Sequence, residues 1–328
     1  MRGMVRRPSR FAEEIPTVGI KPPPSTKLST RLKTGLLRDK ELLIMLVPVV
    51  TYFFIFHYIP MYGATIAFRN YSPARGFAGS PWVGFTHFAR FFRSVYFERL
   101  MVNTIYLNVL ALVFGFPAPI ILALLLNEVK TKWFKNSVQT ITYLPHFISL
   151  VVIIGLLREF TITSGLVNDI RVMLGFRRIP MLQLPEYFRT LYVTSEIWQT
   201  IGWNSIIYLA ALSGVDPELY EAAKIDGASR WKQTLHVTLP GIQSTIIILL
   251  ILRMGRMFTI GFEKIILMYN PSTYSVADVI STFVYRSGLL EMNFSFSTAV
   301  GLFNSVLNFA MLLLANRLSK RYSETSLW

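Results

Sequence analysis

Long apolar blocks alternate with short polar segments along most of this chain. Six blocks are about 20 residues long or longer, the length an α-helix needs to cross the hydrocarbon core of a bilayer. Helices are the expected form of each span, because backbone groups in lipid must be hydrogen-bonded within the protein. The pattern predicts an all-α integral membrane protein with six transmembrane helices, at residues 42–62, 101–127, 138–158, 190–213, 242–262 and 297–317.

The first forty residues differ in composition from the rest. They are rich in Arg, Lys, Pro and Ser, with three consecutive prolines at 22–24, and no apolar run is long enough for a signal-peptide core. We predict a basic cytoplasmic N-terminal tail over residues 1–40 and one transmembrane domain over residues 41–328. A short amphipathic helix at 29–38 would lay its basic face on membrane lipid, and a merely solvated tail is the alternative.

Lysine positions predict the orientation of the spans. Ten of the eleven lysines fall in the tail, in the loops after the second and fourth spans, or near the C-terminal end, whereas Lys264 falls on the opposite side. Arginine discriminates less well, since five arginines lie in the first outer segment, between residues 69 and 99. By the positive-inside rule, both termini are predicted to be cytoplasmic. The ten lysines are Lys21, Lys27, Lys33, Lys40, Lys130, Lys132, Lys135, Lys224, Lys232 and Lys320.

Composition excludes several other classes of protein. Only 16% of the 328 residues are charged and 52% are hydrophobic, which is too little charge to cover a soluble domain. The absence of cysteine excludes disulfides, iron–sulfur centres and thiol nucleophiles. The net charge of +15 is spread over the tail and the short connecting segments, so we expect no nucleic-acid partner. The four histidines lack the spacing of metal ligands or of a catalytic pair, so no metal site is expected.

The segment between the fourth and fifth spans, residues 214–241, predicts a compact helix–turn–helix. Asp216 is a good N-cap with Pro217 at the first helical position. Gly227 can adopt a positive φ, which ends the first helix and turns the chain. A second helix follows from about Ser229, and Pro240 breaks it before the next span. Glu221 is expected at the surface of this turn.

This segment resembles the EAA loop of ABC importer permeases. The family pattern is Glu-Ala-Ala, three residues, Gly, nine residues, then Ile-x-Leu-Pro, and here Val237 replaces the Ile. The resemblance implies that residues 216–230 seat in a cleft of a separate ATPase subunit, where Glu221 pairs with a basic residue. The implied ATPase-coupling residues are Glu218, Glu221, Ala222, Ala223, Asp226, Gly227, Ala228, Leu239 and Pro240.

Further stretches resemble one subgroup of carbohydrate-uptake permeases. These stretches are 115–129, 143–149 and the ending 326–328. They are similar to the MalF-like group and, within it, to the LplB-type permeases of complex polysaccharides and oligouronides, which include the larger permease of the alginate-oligosaccharide importer. The similarity covers about residue 40 to the end.

The resemblance implies a type I ABC importer permease fold in a bacterial cytoplasmic membrane. It implies a heterodimer with a second, homologous permease, two ATPase subunits and an extracytoplasmic solute-binding protein. No stretch fits the phosphate-binding pattern Gly-x-x-x-x-Gly-Lys-Ser/Thr. ATP and magnesium are therefore expected on the partner ATPases, and this chain is expected to be no enzyme and to bind no cofactor.

A sugar path needs hydrogen-bonding and stacking groups that face inward within the spans. The Asn and Trp candidates could equally be helix–helix contacts. Arg253 and Arg256, at i and i+3, are expected on one face of the fifth span. They could line the path for an acidic oligosaccharide, or be satisfied by backbone carbonyls or by an acid of the partner permease. The candidate path residues are Asn103, Asn108, Trp198, Gln199, Trp203, Asn204, Tyr208, Arg253, Arg256, Asn304 and Asn308.

Two other classes of function compete with this interpretation. An ion-coupled secondary sugar carrier would need inverted repeats and acids within the membrane. We take Glu128, Glu159 and Glu263 to lie at span ends, which argues against such a carrier. A membrane-embedded enzyme would need clustered Asp, Glu and His at the interface, and the sequence shows no such cluster.

Overall fold

The structure is a computed structural model that describes residues 40–258 and 261–322. Within these ranges the chain is helical, apart from connecting turns and an isolated bridge between Arg69 and Trp82. The predicted all-α class is therefore confirmed. The chain divides into two units, Met1–Tyr62 and Gly63–Trp328. The predicted basic tail, apart from Lys40, and the ending 326–328 lie outside the described residues.

The longer helices of the described residues are labelled in chain order. They are α1 (Lys40–Phe53), α2 (Thr86–Phe92), α3 (Phe97–Leu110), α4 (Pro117–Glu128), α5 (Lys132–Tyr143), α6 (Leu150–Thr161), α7 (Leu166–Met173), α8 (Pro185–Ser213), α9 (Pro217–Ile225), α10 (Gln243–Met254), α11 (Phe262–Met268), α12 (Ile280–Tyr285) and α13 (Phe294–Tyr322).

Shorter helical turns connect these helices. They are Phe54–Tyr58, Ile59–Met61, Tyr62–Phe68, Gly76–Gly79, Ala111–Gly115, Leu144–Phe147, Met181–Gln183, Arg230–Gln233, Thr234–Thr238, Leu239–Gly241, Pro271–Thr273, Tyr274–Ala277 and Arg286–Leu290.

Fewer helices than predicted are both long and apolar enough to cross a membrane. Among the described residues there are four, or five if a helix pair bent by 62° counts as one span. The predicted number of six spans is thus not confirmed. The four are Lys40–Phe68, Phe97–Glu128, Leu150–Met173 and Phe294–Arg321, and the bent pair is Arg230–Gly241 with Gln243–Met254.

The predicted third and fourth spans differ from the structure for separate reasons. The span 138–158 is divided, because Pro145 cannot continue the helical hydrogen-bond ladder and Ser149 caps a new helix at Leu150. The span 190–213 does form the 29-residue helix α8. It is not among the apolar helices, since polar residues such as Glu196 interrupt its apolar sequence.

The predicted fifth span, 242–262, is too long. Helix α10 ends at Met254 and Gly255 is its C-cap. Arg256 therefore lies in the turn after the helix, and the expectation that Arg253 and Arg256 share one helix face is wrong. Both arginines nevertheless stand close in the chain at the same end of α10.

Helix α8 connects the two regions that matter most for function. Near its end it contributes Tyr208 and Leu212 to a buried cluster that also contains Ala123 of α4, Val215 and Ile242. We call these five residues the hinge cluster. Ile242 is fully buried at the break between Leu239–Gly241 and α10, so the cluster lies where the 62° bend occurs.

Candidate functional site

The turn at 214–241 begins as its sequence predicts. Pro217 is the first residue of α9, and the Asp216 side chain accepts a hydrogen bond from the backbone N–H of Glu218 at 2.9 Å. This bond satisfies one of the N–H groups that a helix start leaves unpaired. The start of the helix is therefore set by two adjacent residues and needs no contact from elsewhere.

The end of α9 is also set locally. Gly227 has φ +73°, the left-handed conformation that a residue with a Cβ adopts only at a cost. Its N–H donates to the carbonyl of Lys224 at 3.0 Å, and the N–H of Ala228 donates to the carbonyl of Ala223 at 2.9 Å. This pair of bonds is the Schellman motif. Gly227 thus reverses the chain as predicted.

The return arm, residues 229–241, follows Gly227 and is tied to α9 by side chains. Ser229 caps the turn Arg230–Gln233. The Tyr220 hydroxyl donates to Oγ1 of Thr238 at 3.1 Å, and Thr238 is buried. The two arms are therefore held together by a hydrogen bond next to the hinge cluster, against which Tyr220 and Val237 also pack.

Most of the predicted coupling residues face outward from this turn. Among the residues that the structure describes, Glu221 forms no ion pair, so its carboxylate is available to another molecule. Four large apolar side chains of the turn are also exposed, of which Ile225 at 87% and Trp231 at 71% are the most exposed, and none of the four is among the predicted coupling residues. Of the nine predicted coupling residues, six are exposed and three are partly buried. The exposed ones are Glu218, Glu221, Ala222, Asp226, Gly227 and Pro240, and the partly buried ones are Ala223, Ala228 and Leu239.

A cavity of about 460 Å³ lies among α3, α4, α8 and α10. Its lining includes five of the predicted path residues from three predicted spans. It also includes Leu249, which packs against the hinge cluster, and Tyr208, which belongs to it. The cavity and the turn at 214–241 thus share one buried cluster. The five predicted residues are Asn108, Asn204, Tyr208, Arg253 and Arg256.

The two arginines of the cavity have no partner among the described residues. Arg253 and Arg256 are both exposed, and neither side chain takes part in an ion pair or hydrogen bond there. A guanidinium at membrane depth is costly unless it faces water or a counter-charge. Among the described residues no backbone carbonyl satisfies either guanidinium, and the arginines present their charge to the cavity.

The other predicted path residues lie away from this cavity. Asn103 donates to the carbonyls of Ser275 and Asp278, at 3.0 and 3.1 Å. Trp203 stacks on His146, with ring centroids 4.5 Å apart. Trp198 and Gln199 are not part of the cavity lining.

On α13, two further predicted path residues bind backbone. Asn304 donates to the Phe258 carbonyl at 2.9 Å, and Asn308 accepts from the Phe258 N–H at 2.8 Å. They hold the end of the turn that carries Arg256. The contacts observed for Asn304 and Asn308 are therefore hydrogen bonds to the backbone of this chain.

One acid of this cavity, Glu196, is not among the predicted path residues. Glu196 lines it together with Thr200, Asn204 and Tyr208, a stripe with a spacing of four residues along α8. Residues four apart lie on the same face of a helix, so the predicted Tyr208 and Asn204 also indicate Thr200 and Glu196. Because Glu196 lies within the predicted fourth span, the premise that acids occur only at span ends is wrong.

Glu196 is paired with a lysine from the following segment. The Nζ of Lys264 lies 3.0 Å from Oε2 of Glu196, and it stands 4.9 Å from the centre of the Tyr192 ring. Lys264, on α11 outside the predicted spans, has a side chain only 3% exposed. Burial lowers the pKa of its ammonium group, and the Glu196 carboxylate acts against that shift.

Apolar helices of membrane length around a charged cavity, joined to an exposed turn, define a membrane transport subunit. Residues 115–324 match the family described as the binding-protein-dependent transport system inner membrane component, and the chain belongs to this family of ABC-transporter permeases. The resemblance inferred from the EAA pattern is confirmed.

Curated relatives share most of their length with this chain. The polygalacturonan/rhamnogalacturonan transport system permease protein YteP of Bacillus subtilis (strain 168) is 46% identical over 299 residues, covering 91% of this chain and 93% of the relative. Protein LplB of the same strain is 46% identical over 295 residues, covering 90% and 93%. The similarity to the LplB-type subgroup is therefore confirmed.

Solved structures agree in fold as well as in sequence. A chain of a bacterial ABC transporter involved in the import of the acidic polysaccharide alginate superposes with a TM-score of 0.83 at 46% identity, covering 89% of this chain and 99% of that chain. A chain of the alginate transporter in complex with alginate pentasaccharide-bound periplasmic protein gives 0.85 at 45% identity, covering 90% and 100%. The predicted permease fold is thus confirmed.

Proposed function

We propose that this permease carries acidic oligosaccharides of the uronate type into the cell. The observation that carries the proposal is the pair Arg253 and Arg256, unpaired among the described residues and lining the same cavity. A guanidinium binds a carboxylate through two parallel hydrogen bonds, so it suits sugars that carry one. The similarity to a transporter of the acidic polysaccharide alginate supports the same substrate class.

The mechanism we propose is alternating access driven from the turn at 214–241. An ATPase subunit that holds this turn would move it when ATP binds and when it is hydrolysed. The Tyr220–Thr238 bond and the hinge cluster would pass that displacement to Tyr208 and Leu249, which line the cavity. Packed cores respond to such displacements by switching between discrete arrangements.

The complete importer requires further subunits. In this proposal a second, homologous permease completes the substrate path as a heterodimer, and two ATPase subunits hold ATP and magnesium. An extracytoplasmic solute-binding protein delivers the sugar, and membrane lipid surrounds the spans. Both termini face the cytoplasm of a bacterial cell. The chain itself performs no catalysis and binds no cofactor, metal or nucleic acid.

Uptake by the reconstituted importer tests the substrate class. The double variant R253Q/R256Q should lower the initial rate of oligouronate uptake about tenfold, because the cavity loses both carboxylate-binding groups. The control is Arg317→Gln, an exposed arginine outside the cavity lining, which should keep the wild-type rate. A wild-type importer that takes up neutral oligosaccharides but no oligouronate would refute the proposal.

A further inference from the structure

A buried ion pair stands directly behind the charged wall of the cavity. Glu196 is 29% exposed and lines the cavity, whereas Lys264 is 3% exposed and does not. The lysine is held from two sides, by the carboxylate at 3.0 Å and by the face of the Tyr192 ring at 4.9 Å. A charge this deeply buried is retained only with a partner, and here the partner is the acid of the substrate path.

The backbone places Lys264 at this position. Gly261 precedes α11 with φ +35°, and a Cβ at this residue would overlap the Tyr192 hydroxyl. Only glycine therefore lets α11 begin against α8 at this point. From there Lys264, in the first turn of α11, reaches Glu196 on α8. The pairing depends on a close approach that a larger residue at 261 would prevent.

In the part of the chain that the structure describes, the charges that line the cavity are two arginines and one carboxylate. They are Arg253, Arg256 and Glu196. Without a counter-charge, Glu196 would offset one arginine and repel the carboxylate of an acidic sugar. With Lys264 bound to it, Glu196 contributes no net charge, and the two arginines dominate the field inside the cavity.

We infer that Lys264 is a specificity-determining residue, which neutralises Glu196 so that the cavity attracts anionic oligosaccharides. This inference rests on the proposed function, because it assumes that an acidic sugar passes Arg253 and Arg256. Lys264 acts through Glu196 and does not touch the sugar. A purely structural role, in which the pair only fastens α11 to α8, is the opposing explanation.

Three variants of the complete importer separate these roles: Lys264→Met, Glu196→Gln and the double variant. Each is measured as the initial rate of oligouronate uptake into proteoliposomes, with the same binding protein throughout. We expect Lys264→Met to lower the rate at least fivefold, because the carboxylate of Glu196 is then uncompensated. Glu196→Gln should lower the rate less than Lys264→Met does, because it removes the negative charge from the cavity wall. The double variant should return to within about twofold of wild type.

A structural role predicts a different pattern. The ion pair is absent in all three variants, so all three would be slow and the double variant would show no rescue, which would overturn the inference. If Lys264→Met does not assemble with its partners, the double variant decides, since a structural role requires it to be slow although no charge is left uncompensated. Failure of the proposed function is distinct, because the wild-type importer itself would then take up no oligouronate.

Discussion

The turn at 214–241 and the cavity are built in opposite ways. The caps and hydrogen bonds within the turn join residues of its own segment, from the Asp216 cap to the Schellman bonds around Gly227 and the Tyr220–Thr238 bond, and only its outer contacts, such as the ion pair of Arg230 with Glu128, reach α4. The cavity draws on α3, α4, α8 and α10, so residues as far apart as Asn108 and Arg256 meet there. The turn is thus a rigid local unit, whereas the cavity exists only once distant helices have packed.

This difference suits the two tasks that we propose for the turn and the cavity. A part that transmits force must keep its shape when its partner moves, and short-range hydrogen bonds supply that rigidity. A substrate path must change shape during transport, and a cavity between helices changes when the helices shift. The hinge cluster is where the two meet, because Tyr208 belongs both to the cluster and to the cavity wall.

The largest effect is expected from breaking the turn. Gly227→Val places a β-branched residue at φ +73°, which costs roughly 1–2 kcal/mol or more in the left-handed region. We expect copurification of the ATPase subunits to fall about tenfold, because the turn no longer presents Glu221 in its native position. Pull-down of the ATPase from detergent extracts measures this loss.

A second glycine provides a matched control. Gly175 has φ +84° and, like Gly227, open space where a Cβ would stand. It lies in the segment between the predicted third and fourth spans, on the side opposite to the turn. Gly175→Val should therefore bear the same backbone strain and leave ATPase binding unchanged. Equal losses in both variants would mean that general destabilisation, and not the turn, explains the result.

An intermediate effect is expected from filling the cavity. Asn204→Trp puts an indole into a space of about 460 Å³, and it should lower uptake several-fold while ATPase copurification stays at the wild-type level. Ile206→Trp is the control, since Ile206 lies on the same helix and is also exposed but does not line the cavity. If Ile206→Trp is the more damaging variant, the substrate passes along a different face of α8.

The same contrast explains how much could be predicted from sequence. Caps, a positive-φ glycine and the motif spacing are local signals, so the bounds of α9 and the reversal at Gly227 follow from residues 216–240 alone. The cavity face of α8 depends on how α8 is rotated against α4 and α10. The sequence of α8 offers two stripes with a spacing of four, one through Asn204 and Thr200 and one through Trp203 and Gln199, and it does not decide between them. Hence Trp198, Gln199 and Trp203 were predicted in place of Glu196 and Thr200.

The sequence predicts the end of a helix least well where contacts with distant residues determine that end. Apolarity alone extends the fifth span to residue 262, yet α10 ends at Met254. The turn that follows is fixed by Asn304 and Asn308 of α13, which bind the backbone of Phe258 from about fifty residues away. Such long-range backbone capping leaves no periodic signal in the sequence.

The smallest effect tests the bond that joins the two arms of the turn. Tyr220→Phe removes the hydrogen bond to Thr238, a neutral bond worth about 1 kcal/mol, and leaves the ring in the hinge cluster. We expect normal ATPase copurification, since the exposed surface of α9 is unchanged, but about twofold to fivefold less sugar transported per ATP hydrolysed. Tyr143→Phe is the matched control, because among the described residues the Tyr143 hydroxyl has no hydrogen-bond partner. If Tyr220→Phe keeps the wild-type ratio of transport to hydrolysis, the apolar packing around Ile242 alone carries the displacement from the turn to the cavity.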